Sequence, residues 1–156
     1  MRFIGTIEAK ADSKGRVFLP AAFRRNLQEA FADQAEPRLI MRKDIFEDCL
    51  VLYTEQEWYN RLDQLKQRLS IWNKTEQAVM RKYVTDAEWI SLDSNGRFLI
   101  PKRYQAMTGI ENRVTFVGMD STIEIWASEK LEQQNANCDF AQTLQDLMSN
   151  EKHTEE

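Results

Sequence analysis

Asp12-Ser13-Lys14-Gly15-Arg16-Val17-Phe18-Leu19-Pro20 returns 81 positions later as Asp93-Ser94-Asn95-Gly96-Arg97-Phe98-Leu99-Ile100-Pro101. Asp, Ser, Gly, Arg and Pro recur at identical places, and every position between the arginine and the proline stays apolar. Three residues after each proline stands an aromatic, Phe23 or Tyr104. Further on, Cys49-Leu50-Val51-Leu52-Tyr53 is echoed by Thr122-Ile123-Glu124-Ile125-Trp126. A chain with such self-similarity reads as two homologous halves, 1–72 and 73–149, with a short acidic tail at 150–156.

Each half carries the same local signals. Phe3 to Ala9 alternates like a half-buried strand, and Asp-x-x-Gly then breaks it, as a turn does when glycine supplies a positive φ. Arg16 to Leu19 reads as a second short strand, and Pro20 suits the start of a helix with Phe23, Leu27, Ala30 and Phe31 on one face. Leu39 to Arg42 and Cys49 to Tyr53 make a strand pair around a charged loop. The second half repeats this with Ala87 to Leu92, Phe98 to Ile100, a helix from Pro101 to Met107 stopped by Gly109, and strands at Arg113 to Val117 and Thr122 to Trp126. Thr54 with Glu57 has capping-box form, and Trp58, Leu62, Leu65 and Leu69 follow at helical spacing. Thr75 to Val84 predicts another helix, and Phe140, Leu144, Leu147 and Met148 mark an amphipathic one near the end. The Leu62, Leu65, Leu69, Trp72, Val79 and Tyr83 stripes, with Trp58, Trp126 and Cys49, are expected in the core.

Composition narrows the function. The 156 residues are 42% hydrophobic, enough for a sizeable core, and the formal net charge is −4. That charge is unevenly placed: residues 1–43 hold nine Lys/Arg against five Asp/Glu, whereas 127–156 hold two against seven. The amino-terminal part can therefore present a basic face on an acidic chain. The single histidine, His153, sits in the acidic tail, which argues against histidine catalysis and multi-histidine metal sites. No Gly-rich phosphate loop, nucleophile elbow or metal-ligand cluster is present, so neither an enzyme, a metal, a cofactor nor a small-molecule substrate is expected. Two distant cysteines, Cys49 and Cys138, without a CxxC pair, an export signal or a long apolar run, predict a cytoplasmic chain with no membrane partner.

The candidate site is the pair of turns. Arg16 and Arg97 follow each turn directly, so each projects from a rigid strand start, a geometry suited to phosphate or base contacts. The blander alternative is that Asp12 and Asp93 cap the turns while the arginines pair with acids across the sheet. Lys10, Lys14, Arg24 and Arg25 gather near the first motif in sequence; Lys102 and Arg103 gather near the second. Arg24 and Arg25 lie early in a helix, where a cation opposes the dipole, so either an outside partner or a solvated helix face accounts for them.

Taken together, the twin Asp-x-x-Gly-Arg motifs, the apolar run and proline after each, Phe3-x-Gly5 ahead of the first and Arg24 after Phe23 resemble the MraZ family of bacterial transcriptional regulators. One motif alone resembles only the wider AbrB/SpoVT swapped-hairpin group. The resemblance runs from about Met1 to Leu147. It implies an α+β fold, mainly β barrel with outer helices, in which two swapped-hairpin units form an intramolecular pseudo-dimer. It also implies a nucleoid-associated, ring-shaped homo-oligomer that binds G-rich direct repeats in the promoter of the division and cell-wall gene cluster. Carried over, the DNA-binding residues fall on Lys14, Gly15, Arg16, Arg24, Arg25, Asn95, Gly96 and Arg97, with Asp12 and Asp93 structuring the turns. Asn95 and Gln105 stand where the first half has Lys14 and Arg24, which predicts a weaker second copy. A self-assembling adaptor that binds another protein is the alternative reading.

Overall fold

In the computed structural model residues 2–31 and 38–150 are described; the acidic tail at 151–156, with His153, lies outside them. The elements of the first half are β1 (Thr6–Lys10), β2 (Arg16–Phe18), α1 (Ala21–Ala30), β3 (Leu39–Lys43), β4 (Leu50–Thr54) and α2 (Glu55–Arg68). After α3 (Lys74–Thr85) the same order returns as β5 (Glu88–Ile90), β6 (Arg97–Leu99), α4 (Lys102–Thr108), β7 (Arg113–Gly118), β8 (Thr122–Ala127) and α5 (Ser128–Ala136), and α6 (Phe140–Met148) closes it. The expected boundary at 72–73 falls in the connection between α2 and α3.

Local chemistry accounts for the element ends. Pro20 and Pro101 precede α1 and α4, their fixed φ of −53° and −56° setting the chain direction into each helix. Gly109, at φ 72°, ends α4 in the left-handed conformation. The Thr54 hydroxyl accepts the Glu57 backbone N–H at 3.1 Å, as the capping-box spacing predicts.

Six strands form one antiparallel sheet in the order β1-β7-β8-β4-β3-β5, and β2 pairs with β6 in a separate two-stranded ribbon. The first strand of each half therefore leaves its own hairpin and joins that of the other half. Thr6 faces Val117 at one edge, and Leu39 faces Ile90 at the other. The two hairpins meet at the centre, where Leu50 lies opposite Ile125 and Leu52 opposite Ile123. The fold is α+β, as expected. In place of a closed barrel, the described strands make an open sheet whose inner face is covered by the ribbon and by α1 and α4.

That inner face holds the main core: Leu39, Met41, Leu50, Leu52, Val114, Phe116, Ile123 and Ile125 from the sheet, Val17 and Phe98 from the ribbon, and Phe23, Leu27 and Tyr104 from the helices. Alternation sends Ile40, Val51 and Tyr53 to the opposite face, where Trp58 of α2 covers them and Tyr83 of α3 stacks on Trp58 at 5.2 Å. Trp126 and Cys49 are buried as expected. Desolvation pushes the Cys49 thiol far up, so it stays protonated.

The apolar stripes of α2 and α3 differ from the expectation. Trp58 is the one buried residue of α2 and α3 has none; Trp72 is 90% exposed and Val79 49%. Trp58 and Tyr83 pack on the outer face of the sheet, Leu62, Leu65, Leu69 and Met80 are half-buried, and Tyr59, Val79 and Val84 face outward. α6 likewise has no buried residue, with Phe140, Leu144, Leu147 and Met148 all exposed.

Candidate nucleic-acid interface

Asp12 builds the first turn. Its Oδ1 accepts the backbone N–H groups of Lys14 and Arg16 at 3.0 and 2.9 Å, its carbonyl accepts that of Gly15 at 3.0 Å, and its own N–H donates to the Arg16 carbonyl at 2.9 Å. The second turn reproduces the set: Asp93 Oδ1 accepts from Asn95 and Arg97 at 2.9 Å each, and the Asp93 carbonyl accepts from Gly96 at 3.0 Å. Gly15 and Gly96 take φ of +90° and +82°, the positive values predicted for them.

The arginines bond to the carboxylates of their own turns rather than to acids across the sheet. Arg16 Nε lies 2.7 Å from Asp12 Oδ2, and Arg97 Nε lies 2.9 Å from Asp93 Oδ2. Each guanidinium is thus held by one nitrogen. Among the described residues its terminal Nη1 and Nη2 make no hydrogen bond, and this is the edge that pairs with a guanine or a phosphate. Lys14 and Arg25 are exposed and make no ion pair among the described residues, whereas Arg103 is engaged by Glu88 at 2.8 Å and by the Tyr104 hydroxyl.

Strand exchange corrects the expected grouping of charges. A β-carbon at Gly96 would lie 2.5 Å from Arg24 Nη1, so Arg24 packs against the second turn and not the first. Its counterpart Gln105 crosses the other way: its Nε2 donates to the Ile100 carbonyl at 2.7 Å and would meet a β-carbon on Gly15 at 2.1 Å. The first turn therefore gathers Lys14 and Arg16, and the second gathers Arg97 and Arg24. The second site is no less basic than the first, although Asn95 replaces lysine there. The turns also brace each other, since Leu19 N–H donates to the Gly96 carbonyl at 3.0 Å and Ile100 N–H to that of Gly15 at 2.9 Å. Gln105 was visible in sequence only as the residue aligned with Arg24 at the repeat offset.

The turns are sensitive to acid. Backbone N–H donation from Arg16 and Arg97, foremost among several contacts, holds the Asp12 and Asp93 carboxyls below the ordinary carboxylate range. Native values below unfolded ones give stabilisation that is fully present above about pH 4. It is lost as pH falls through the native values. Asp12→Asn with Asp93→Asn, which keeps an acceptor and removes the charge, should flatten the loss of melting temperature below pH 4. An unchanged acid slope in that variant would separate these carboxylates from acid unfolding.

One family model, described as "MraZ protein, putative antitoxin-like", matches this chain twice, over residues 2–82 and 84–151. This chain belongs to the MraZ family. Each of the two matched segments contains one of the twin turns. A Bacteroides fragilis protein named transcriptional regulator MraZ is 52% identical over 155 residues, covering 99% of this chain and 96% of its own length. A Bacteroides thetaiotaomicron protein of the same name is 48% identical over 97% of this chain and 95% of its own. More distant, a Clostridium tetani protein so named is 34% identical over 93% and 96%. Membership of the MraZ family brings the coarse role of transcription regulator. Among the described residues of this family member, no helix is long and apolar enough to cross a membrane.

Proposed function

We propose that this chain regulates transcription by binding double-stranded promoter DNA through its two Asp-x-x-Gly-Arg turns. The observation that carries the reading is the paired display of Arg16 and Arg97, each fixed through Nε to its own turn aspartate with its outer edge open. A guanidinium held this way loses little freedom on meeting a guanine, and Lys14, Arg24 and Arg25 add positive charge that suits the phosphates on either side. Cofactor chemistry has no part in this reading. The family resemblance adds the target: short G-rich direct repeats in the promoter of the division and cell-wall gene cluster, bound at the nucleoid.

A net charge of −4 opposes DNA binding by a single copy, and assembly is the physical remedy. A ring-shaped homo-oligomer sets many copies of a modest basic patch along one duplex and multiplies weak contacts. The outward apolar residues Trp72, Phe140, Leu147 and Met148 are suitable material for contacts between subunits. Fluorescence anisotropy with duplexes of one, two and three repeats, against a scrambled duplex, tests the whole reading. Affinity should climb steeply with repeat number, drop when the spacing shifts by half a helical turn, and fall with salt at a slope of about 0.9 per neutralised phosphate. Equal, weak binding to repeat and scrambled duplexes would favour the adaptor reading, in which the arginines bridge protein subunits.

A further inference from the structure

The ribbon between the two turns has an outer face with an unusual chemical make-up. Antiparallel register puts Arg16 opposite Leu99 and Phe18 opposite Arg97, so these four side chains share one face, while Val17 and Phe98 point into the core. Phe18 is 53% exposed and Leu99 52%, and they occupy equivalent positions in the two halves. Each arginine therefore has an apolar neighbour directly across the pair; the Arg97 guanidinium sits 5.8 Å from the centre of the Phe18 ring. None of these four side chains carries an acceptor, and the Asp12 and Asp93 carboxylates beside them are occupied by their own turns.

A two-stranded ribbon fits the major groove, where guanine offers two acceptors, adenine and cytosine each offer an amino donor, and thymine offers a methyl group. Donors and apolar groups with no free acceptor match guanine and thymine and leave the amino groups of adenine and cytosine unread. Cross-strand neighbours lie about 5 Å apart and alternate residues along a strand about 7 Å, which spans one to two base-pair steps. We infer that Phe18 and Leu99 are specificity-determining residues that pack on thymine methyl groups within two steps of the guanines taken by Arg97 and Arg16. This rests on the DNA-binding reading above and adds a second base to it.

The experiment uses the full chain and the DNA upstream of the division and cell-wall gene cluster, prepared once with thymine and once with deoxyuridine, which removes only the methyl groups. Burial of a methyl corresponds to roughly fourfold in affinity, so two of them predict a loss of ~15-fold per engaged subunit on the uracil duplex. Phe18→Ser should reduce that penalty to about fourfold, Phe18→Ser with Leu99→Ser should abolish it, and Phe18→Leu should retain it. Both serine sites are half exposed, and circular dichroism checks that the variants are folded. Equal wild-type affinity for the two duplexes, or a uracil penalty unchanged in the double variant, overturns the inference and leaves DNA binding standing. Failure of the wild type to distinguish the upstream duplex from a scrambled one overturns both.

Discussion

Alanine at both Arg16 and Arg97 is expected to remove specific DNA binding while leaving the fold intact. Each guanidinium supplies one bidentate edge, worth ~1–3 kcal/mol against the correct base, or about 5- to 150-fold in affinity per engaged subunit. In a ring the loss compounds over every subunit on the duplex. The single variants should be comparable, because Lys14 supports the first turn and Arg24 supports the second. This departs from the ranking read along the chain, which assigned Arg24 to the first turn and made Arg16 dominant. Anisotropy titrations of both single variants and the double one decide it, and wild-type affinity in the double variant would take the arginines out of the interface. Each arginine is also tied to its turn aspartate in an exposed pair, a contact of little consequence for stability. Melting curves close to wild type should therefore accompany the loss of binding.

The second large effect is on stability, at Gly15 and Gly96. A β-branched residue at φ of +90° or +82° carries strain of ~1–3 kcal/mol, and at both places the space is already filled. At Gly15 the new β-carbon would lie 2.9 Å from the Ile100 carbonyl, a backbone atom whose own N–H is bonded to the Gly15 carbonyl, as well as 2.1 Å from Gln105. At Gly96 the three nearest atoms all belong to the flexible Arg24 side chain. Gly15→Val should therefore be the worse of the two. With about 2–4 °C of melting temperature per kcal/mol for a chain of this size, Gly15→Val should fall by roughly 5–10 °C. Gly96→Val should fall less in melting but weaken DNA binding, because it pushes Arg24 out of place. Two variants that melt like the wild type would mean that neither glycine is required for its backbone freedom.

The sequence makes the local devices plain because each depends on residues a few positions apart. The positive φ of Gly15 and Gly96, the Thr54 cap and the Gly109 stop all follow from short-range chemistry. Strand exchange does not, since alternation fixes which face a strand buries and says nothing of which hairpin it pairs with. Ile7 and Ala9 present the same pattern to β3 as to β7, and only the family resemblance implied the swap. Arg24 was misplaced for that reason: its neighbour in space lies in the other half of the chain. The outward Val79 and Leu147 were illegible for a different one, because periodicity shows that a helix has an apolar face without showing what covers it.

The exchanged edges also impose an order on synthesis. β5 emerges when its partner β3 is already made, so Ile90 finds Leu39 at once, but Thr6 must await Val117, about 110 positions later. At 5–20 residues per second, β1 waits on the ribosome for roughly 5–20 s with its edge unpaired. An apolar strand in that position would invite pairing with neighbouring nascent chains. β1 instead carries Glu8 and Lys10, both exposed in the finished fold. When β7 arrives, Arg113 on it meets Glu8 at 2.8 Å, so the charge that protects the waiting strand also helps to recognise its late partner.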